Sequence, residues 1–361
     1  MSTKKVSAGA AEASLRGRPS RREAWFGRVL ERRGPAATNT GLFVVWRAYQ
    51  GRVDAMQRYF DYRPHYLGFS FSRRVLRPLE YVAKAVLTWL QLRRTRPAVV
   101  WLQMPPTFKL YLLAAYKHRH RDVKLVADCH NILLESPWIN TPGLRSLLSS
   151  SADVVLFHNS VVYGRALEAG FPPDRTMILE TRPATLYEDE EVDDITYPRP
   201  WALLPASFKE DEPIDAVLDA AKSLAHVTFI ITGDPRKARR TLESLPGNVV
   251  LEGWVDARRF KSLLAQADVV LGLTRLEGVL VSVASEAVGF GRAMVLSDTR
   301  LLREVYGDAA VYTHPTASAL SEGVANALSQ RAELERRSRL LRGQRLERWK
   351  GQAEEIACRL V

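Results

Sequence analysis

The residues best suited to chemistry in this chain follow apolar segments of its second half. Gly233 and Asp234 end the segment VTFIITGD, the loop 275–278 follows ADVVLGLT, and Ser282 opens a helical stretch that carries Glu286. Glycine lets a ligand approach the backbone closely, and the free amides at a helix start bind phosphate. A carboxylate one turn into that helix can accept hydrogen bonds from both hydroxyls of a vicinal diol. These residue types in this order indicate a site for a nucleotide-linked substrate.

The segments between these residues indicate the elements that position them. Between residues 227 and 311, uniformly apolar segments alternate with amphipathic helical ones. Strands buried on both faces have this composition, so the pattern predicts a parallel sheet covered by helices. Such a sheet binds its ligands beyond the carboxyl ends of the strands. The predicted binding residues follow strands, as this rule requires.

The first half of the chain repeats the same alternation. Its predicted strands are GLFVVW (41–46), AVVWLQ (98–103), VKLVADC (123–129) and ADVVLFHN (152–159). The acidic run 188–194, followed by prolines at 198 and 200, is the predicted linker between the halves. We therefore predict an α/β protein with two doubly wound Rossmann-like domains whose parallel sheets face a central cleft.

Polar residues also follow the strands of the first half. His130 comes directly after VKLVADC, and Asp128 lies two residues earlier, so both point to the same face of the strand. His130 is the first candidate catalytic residue, and Asp128 is a candidate base or a partner that orients its ring. Further candidates for the acceptor side of the cleft are Gly51, Arg52, Gln103 and Asn131, with Asn159 and Ser160 weaker. No zinc-ligand spacing, phosphate-binding P-loop or Ser-His-Asp order is present, and the basic cluster KHRHR (117–121) is predicted to be a solvated loop.

The second half resembles the nucleotide-sugar domain of GT-B fold glycosyltransferases, family 4 in particular. The stretch EGVLVSVASEAVGFGRAMVLSD carries the loop glutamate, helix glutamate, small-residue turn and Ser-Asp strand end of that family in order. The resemblance covers roughly residues 201–324. It implies that Glu286 binds the ribose hydroxyls of the donor and that Glu277 lies near the transferred sugar. The other predicted donor-binding residues are Lys209, Gly233, Asp234, Arg275, Gly278 and Ser282.

This sequence departs from the family 4 pattern at three places. Glu277 and Glu286 are one position further apart than the two family glutamates, and the residues between them lack the family's glycines and proline. Ser207 and Glu212 stand where the family has an arginine and a lysine that hold the departing diphosphate. Lys209 and Arg275 are the candidates to supply that positive charge.

A second resemblance concerns mainly the first half. WLQMPPTF and KLVADCHN are similar to strand ends of the β-mannosyltransferases that act on chitobiosyldiphosphodolichol. This resemblance implies a lipid-linked acceptor at a membrane surface and inversion at the transferred sugar. Family 4 resemblance implies retention, so the stereochemistry stays open.

Charge is distributed unevenly along the chain. The net charge is +12, and residues 1–190 hold 29 basic against 16 acidic residues. Nucleic acid, an anionic membrane surface and a lipid diphosphate are the candidate partners of this basic half. We do not expect nucleic acid, because no recognition element with interleaved aromatic residues is present. Two distant cysteines favour a reducing compartment.

One predicted helix, residues 78–93, has an unusual pattern. Its polar residues Glu80, Lys84, Thr88 and Gln91 form a narrow stripe on an otherwise apolar cylinder. We expect such a helix to be packed between the sheet and its neighbours. The alternative is a face apposed to a membrane, with Trp89 and the pair Arg93-Arg94 at the interface.

Taken together, the sequence predicts a disordered basic tail (1–39), an acceptor-side domain (40–195) and a nucleotide-sugar domain (196–361). The last helix, about residues 345–361, is a candidate for packing back on the first domain. The predicted function is transfer of a sugar from a UDP- or GDP-sugar to a hydroxyl acceptor, without a metal or other cofactor. The predicted location is the cytoplasm, peripheral on the inner membrane face. The alternatives are a GT-B protein without catalysis that acts as a binding partner, and a nucleotide-sugar epimerase.

Overall fold

The structure, a computed structural model, describes residues 41–71, 73–183, 192–238 and 245–361. Its strands form two six-stranded sheets in which every pairing is parallel. The strands of the first sheet are β1 (Gly41–Val45), β2 (Tyr62–Tyr66), β3 (Val99–Met104), β4 (Lys124–Cys129), β5 (Val154–Phe157) and β6 (Thr176–Ile178). Those of the second are β7 (Trp201–Pro205), β8 (Thr228–Thr232), β9 (Val249–Gly253), β10 (Val269–Gly272), β11 (Ala293–Ser297) and β12 (Val311–Thr313). The predicted tail lies outside the described residues, as does most of the acidic part of the predicted linker.

Helices connect the strands in both halves. In the first half they are α1 (Gly51–Phe60), α2 (Arg77–Thr95), α3 (Lys109–Arg119), α4 (Leu144–Ser151) and α5 (Ser160–Glu168). In the second half they are α6 (Ile214–Ser223), α7 (Ala257–Gln266), α8 (Ser282–Phe290), α9 (Arg300–Tyr306), α10 (Ala317–Ser329) and α11 (Arg331–Leu360).

Each sheet reverses its direction of growth once. The strand orders are β2-β1-β3-β4-β5-β6 and β12-β11-β10-β7-β8-β9. The chain therefore changes side between β1 and β3 in the first sheet, and between β7 and β10 in the second. Ligands of open α/β sheets bind at these switch points, where loops after adjacent strands diverge.

The apolar composition of the strands follows from burial of both sheet faces. In β1, Val44 packs into the core on one face of the first sheet, whereas its neighbour Phe43 packs into the core on the other face. Leu204 and Leu203 divide in the same way between the two faces of the second sheet. Alternate residues of a strand point to opposite faces, so a strand covered on both sides needs apolar residues at every position.

The long helix α11 contributes to the cores of both halves. Leu334, near its start, packs into the core of the second sheet. Trp349 and Ile356 pack into the core of the first sheet, where the Trp349 ring meets that of Tyr59 edge to face at 4.9 Å. Gln352 accepts a hydrogen bond from the backbone amide of Glu180 at 2.9 Å.

Helix α2 packs against the protein on one side only. Its polar residues face the protein: the Glu80 carboxylate pairs with Lys84 at 2.7 Å and accepts the Phe71 amide at 2.9 Å. Thr88 accepts the indole N–H of Trp46 at 3.1 Å. Five of its apolar side chains are exposed, whereas Tyr81, Ala85, Trp89 and Leu92 pack into the core of the first sheet. The expectation that α2 is packed between the sheet and its neighbours is therefore wrong: the polar stripe finds hydrogen-bond partners on the inner side, and the opposite face is exposed.

In the part of the chain that the structure describes, no helix combines the length and the apolar character needed to cross a bilayer.

Candidate active site

The switch point of the second sheet holds an open cavity of about 580 Å³. The loop after β7 and the loop after β10 form it, joined by a bond from the Arg275 amide to the Asp211 carbonyl at 2.7 Å. The Asp211 carboxylate also accepts the Thr274 hydroxyl at 2.8 Å. The lining residues are Phe208, Lys209, Glu210, Asp211, Arg275 and Leu276.

Two cations line this cavity. Lys209 follows β7 and Arg275 follows β10, and both side chains are exposed. Within the described residues, neither side chain makes an ion pair. The structure therefore brings together the two residues that the sequence offered as replacements for the family's phosphate-holding arginine and lysine.

Glu212 organises the loop that carries Lys209. Its carboxylate accepts hydrogen bonds from the amides of Ser207 at 2.9 Å and Phe208 at 2.8 Å, and from the Ser207 hydroxyl at 2.5 Å. Phe208 has a φ of 55°, which a non-glycine side chain seldom adopts. These bonds hold Phe208 in that conformation. Ser207 and Glu212, which stand where the family has its arginine and lysine, bond to each other.

Gly233 is required by the geometry of this loop pair. Its φ is 117°, and a Cβ at this position would lie 1.9 Å from the Ala206 carbonyl oxygen. Gly233 thus permits close approach of the loops after β7 and β8. Asp234 does not line the cavity, and its carboxylate pairs with Arg236 at 2.8 Å.

Helix α8 begins after the β10 loop. Gly278 precedes it with a φ of 74°, and Ser282 is its first, exposed residue. In the described chain no side chain caps the amides of its first turn. Uncapped amides and the positive end of the helix dipole favour an anion at this position.

Glu286 lies one turn into α8 and is partly buried. Burial raises the pKa of its carboxyl group from 4.5 to about 7. Among the described residues none donates a hydrogen bond or a positive charge to this carboxylate. Both carboxylate oxygens of Glu286 can therefore accept hydrogen bonds from a ligand.

Glu277 is exposed on the β10 loop. Its carboxylate accepts the backbone amide of Arg300 at 3.3 Å, at the first residue of α9. The carboxylate thus stabilises the N-terminus of α9.

A charged network occupies the switch point of the first sheet. Arg52, in the first turn of α1, contacts the Asp128 carboxylate at 3.2 Å and donates to the carbonyls of Leu179 and Glu180 at 2.8 Å. Asp128 is fully buried and also bonds His158 Nε2 at 3.2 Å. Burial alone would raise the pKa of Asp128, but Arg52 and His158 hold it far below its usual value. Asp128 is thus an ionised partner of Arg52 and His158 and is inaccessible to solvent.

His130 lies beside this network in a neutral form. Burial, with the nearby His158 and Arg52, lowers its pKa to about 3. The side-chain amide nitrogens of Gln103 and Gln50 lie 3.1 and 3.4 Å from His130 Nε2. With the amide nitrogen of Gln103 donating, Nε2 is the acceptor and the ring proton is on Nδ1. His130 can therefore offer an N–H at Nδ1.

His158 was not identified from the sequence. It follows β5 as His130 follows β4, and the two rings meet edge to face at 4.7 Å. Burial lowers the pKa of His158 as well. The sequence signal for His158 is the segment FHN (157–159), which repeats the His-Asn of CHN (129–131) at the end of a second strand. Adjacent parallel strands end at the same edge of a sheet, so the two histidines are expected to lie side by side.

The remaining predicted residues of this edge differ in exposure. Gly51 and Asn131 are exposed, whereas Gln103 is buried and its Oε1 lacks a hydrogen-bond partner among the described residues. Gly51 begins α1, and Asn131 begins the short turn after His130.

One group in the described residues has the composition of a metal site. One potential ligand atom each from Asp128, His130 and His158 lies within 4.8 Å of the others. Arg52 already bonds the Asp128 carboxylate and supplies a positive charge there. Two histidines and a carboxylate suit a divalent transition metal, but the guanidinium competes for the same oxygens.

Comparison with known proteins bears on the fold. No protein-family model matches the sequence, and no curated protein is significantly similar to it. HepE from Anabaena, solved with UDP-glucose, matches with a TM-score of 0.61 and 13% identity over 88% of this chain and 99% of HepE. The chain has the GT-B fold. The fold predicted from the sequence is confirmed.

Two further solved structures share this fold with similar coverage. A glycosyltransferase from Rickettsia africae has a TM-score of 0.56 at 12% identity over 90% of this chain and 98% of its own. Sucrose-phosphate synthase from Thermosynechococcus elongatus has a TM-score of 0.57 at 11% identity over 88% and 97%. Both sheets of the chain are included in matches of this extent.

Proposed function

We propose that this GT-B protein transfers a glycosyl group from a nucleoside diphosphate sugar to a hydroxyl acceptor. The observation that carries the proposal is the cavity at the second switch point, which Lys209 and Arg275 both line and where, in the described chain, neither makes an ion pair. Two cations and the nearby start of α8 suit the two phosphates of a departing diphosphate. HepE, solved with UDP-glucose, has the same fold and supports a donor of this class.

Glu286 is the proposed ribose-binding residue. An ionised carboxylate can accept O–H bonds from both ribose hydroxyls, and those bonds would offset the burial that raises its pKa to about 7. Ser282 and Gly278 would contact the diphosphate through their backbone. Glu277 would lie near the transferred sugar, as the family 4 resemblance implies. Gly233 would act indirectly, since it holds the Lys209 loop in position.

The first-sheet network is proposed to handle the sugar and the acceptor. Neutral His130 would donate its Nδ1 proton to a sugar hydroxyl. The Nε2–H of His158 would donate a hydrogen bond to the Asp128 carboxylate. The other ring nitrogen, Nδ1, could then accept the proton of the attacking hydroxyl. Arg52 would fix Asp128 in the ionised state that this orientation needs.

The two halves of the proposal predict different stereochemistry. His158 acting as a base favours inversion by direct attack, whereas the family 4 resemblance implies retention. The anomeric configuration of the first product, measured by NMR, distinguishes the two.

We further propose a lipid-linked acceptor and a cytoplasmic site of action on the inner membrane face. The excess of basic residues in the first half and the similarity of its strand ends to lipid-acceptor mannosyltransferases support this. Both cysteines are free thiols, which fits a reducing compartment. The proposed chemistry needs no metal: Lys209, Arg275 and the α8 amides would supply the charge that a metal supplies elsewhere.

A panel of UDP- and GDP-sugars tests the proposal. Purified protein should bind at least one member in calorimetric titration and release its diphosphate slowly to water. The double variant Lys209→Ala/Arg275→Ala should lose about tenfold or more in affinity, because two charge-assisted contacts are lost. Absence of binding to every donor would refute the proposal.

A protein that binds donors without catalysis is the second candidate. The specific observation in its favour is Glu212, whose carboxylate occupies loop amides near the proposed diphosphate position. Tight donor binding without release of diphosphate, with lipid acceptors present, would select this candidate.

A further inference from the structure

The outward face of α2 carries an apolar stripe. Exposed apolar side chains recur every three or four residues, with exposed fractions of 82% for Val75, 60% for Leu79 and 60% for Val82. The stripe consists of Val75, Leu79, Val82, Val86, Leu87 and Leu90. Val75 lies in the short turn before α2, and within the helix the stripe runs from Leu79 to Leu90, about 17 Å at 1.5 Å per residue.

The stripe is exposed because specific polar contacts fix the opposite face of α2 toward the protein. The inward face instead holds the Glu80–Lys84 pair and the Thr88 hydroxyl, and all three side chains are almost fully buried. Their polar groups bond within the first half of the chain, so the orientation of α2 is fixed by specific contacts. A contiguous apolar surface of this kind marks an interaction site.

The charges around the stripe are of one sign. Among the side chains described between residues 69 and 96, every exposed charged one is an arginine. They are Arg73 and Arg77 near the start of the helix, and Arg93, Arg94 and Arg96 at its end. The only acidic residue of the segment, Glu80, is buried against Lys84.

We propose that this face docks on an anionic lipid bilayer, with α2 lying in the plane of the headgroups. Apolar side chains enter the upper acyl region, and the arginines at both ends contact lipid phosphates, as in interfacial amphipathic helices. A second copy of the chain fits less well, because a symmetric pairing through this stripe would bring arginines against arginines.

Docking in this way has a consequence for the first switch point. Phe69 and Phe71 are exposed on the connection from β2 to α2, and this connection leaves the carboxyl edge of the first sheet. Arg52 and His130 lie at the same edge. The face therefore holds that edge near the bilayer surface, where the hydroxyl of a lipid-linked acceptor lies. This consequence rests on the proposed function, whereas the docking itself does not.

Co-sedimentation of the full chain with lipid vesicles tests the docking. The vesicles are phosphatidylcholine alone or mixed with phosphatidylglycerol, and the variants are Val82→Glu/Val86→Glu and the control Leu340→Glu. Leu340 is 55% exposed on α11, comparable with 53% for Val86. Wild type and control should bind the anionic vesicles, and the double variant should bind roughly tenfold more weakly or worse. All variants retain residues 1–40, so any contribution of this basic segment is constant.

An environment-sensitive dye measures insertion separately from charge attraction. It is attached to Val86→Cys or, as control, to Leu340→Cys, each with Cys358→Ser because Cys358 is the exposed native thiol. Emission at position 86 should shift to the blue on anionic vesicles, and emission at position 340 should stay constant.

Three results would overturn the docking proposal. The first is equal binding of anionic vesicles by Val82→Glu/Val86→Glu and wild type. The second is dye emission at position 86 that does not shift on anionic vesicles. The third is a wild-type dimer that becomes monomeric in Val82→Glu/Val86→Glu. Donor titration without vesicles separates this proposal from the function. Val82→Glu/Val86→Glu should keep donor affinity, and Glu286→Gln should keep vesicle binding.

Discussion

Replacement of Glu286 by glutamine should make the protein more stable at alkaline pH and weaken donor binding. The pKa of Glu286 is raised from 4.5 to about 7. The folded protein therefore holds the proton more tightly than the unfolded chain does. The stabilisation linked to that proton is complete below pH 4.5 and is lost as the pH rises through 7.

The size of the effect follows from the shift. Each pKa unit corresponds to about 1.4 kcal/mol, so the ionised carboxylate costs the folded state about 3 kcal/mol above pH 7. Because the group is partly exposed, solvent screening reduces this to about 1.5 kcal/mol. Glutamine carries no charge, so Glu286→Gln should gain about 1.5 kcal/mol at pH 8 and nothing at pH 4. At about 1.3 °C per kcal/mol for a chain of 361 residues, the melting temperature at pH 8 should rise by about 2 °C.

The assay combines calorimetric melting at pH 4, 6 and 8 with donor titration at pH 8. Glu322→Gln, on the exposed side of α10, is the matched control and should change neither quantity. The donor affinity of Glu286→Gln should fall at least about tenfold, because hydrogen bonds to a charged acceptor become neutral ones. A stability gain that does not depend on pH would refute the pKa argument. Unchanged donor affinity would refute the assignment to the ribose.

Further variants test the loops and the first-sheet network. Gly233→Ala should destabilise the protein by about 3 kcal/mol or more in urea unfolding, because its Cβ would meet the Ala206 carbonyl; Gly247→Ala, with open space around it, is the control. Glu212→Ala should cost about 1–2 kcal/mol and weaken donor binding by loosening the Lys209 loop, and an unaltered melting temperature would contradict this. His130 is neutral in the folded state, with a pKa of about 3, whereas the unfolded chain binds a proton below pH 6.5. The protein should therefore lose stability as the pH falls below 6.5, by about 3 kcal/mol at pH 4.5. His130→Gln should lack this component of the pH dependence in unfolding measured between pH 4.5 and 7, and identical slopes for the two proteins would count against a neutral histidine.

The fold could be predicted from the sequence because buried parallel strands need apolar residues on both faces. GLFVVW and VKLVADC are strands for this reason, and the order of motifs after residue 227 specifies the second sheet. The edge strand β2, YRPHY, was missed since it lies at the end of its sheet and carries polar residues and a proline. Local composition alone does not distinguish such a strand from a loop.

The candidate site was only partly predictable. Lys209 and Arg275 are 66 positions apart in the chain, and their meeting in one cavity depends on the strand order of the second sheet. Asp128 was a candidate base, but its pairing with Arg52 and His158 depends on how α1 and β5 pack against β4. The expectation that α2 is packed between the sheet and its neighbours was wrong. The sequence does not show that Trp46 and the Phe71 amide bond its polar stripe on the inner side, which leaves the opposite face exposed.

Helix α11 has a consequence for the order in which the protein can mature. The hydrophobic core on one face of the first sheet includes Trp349, Ala353 and Ile356, and Gln352 bonds an amide 172 positions earlier in the chain. During synthesis, β1 to β6 leave the ribosome well before these residues exist. One face of the first sheet therefore stays partly exposed until α11 has been synthesised. A chaperone that shields this face during translation should raise the yield of native protein.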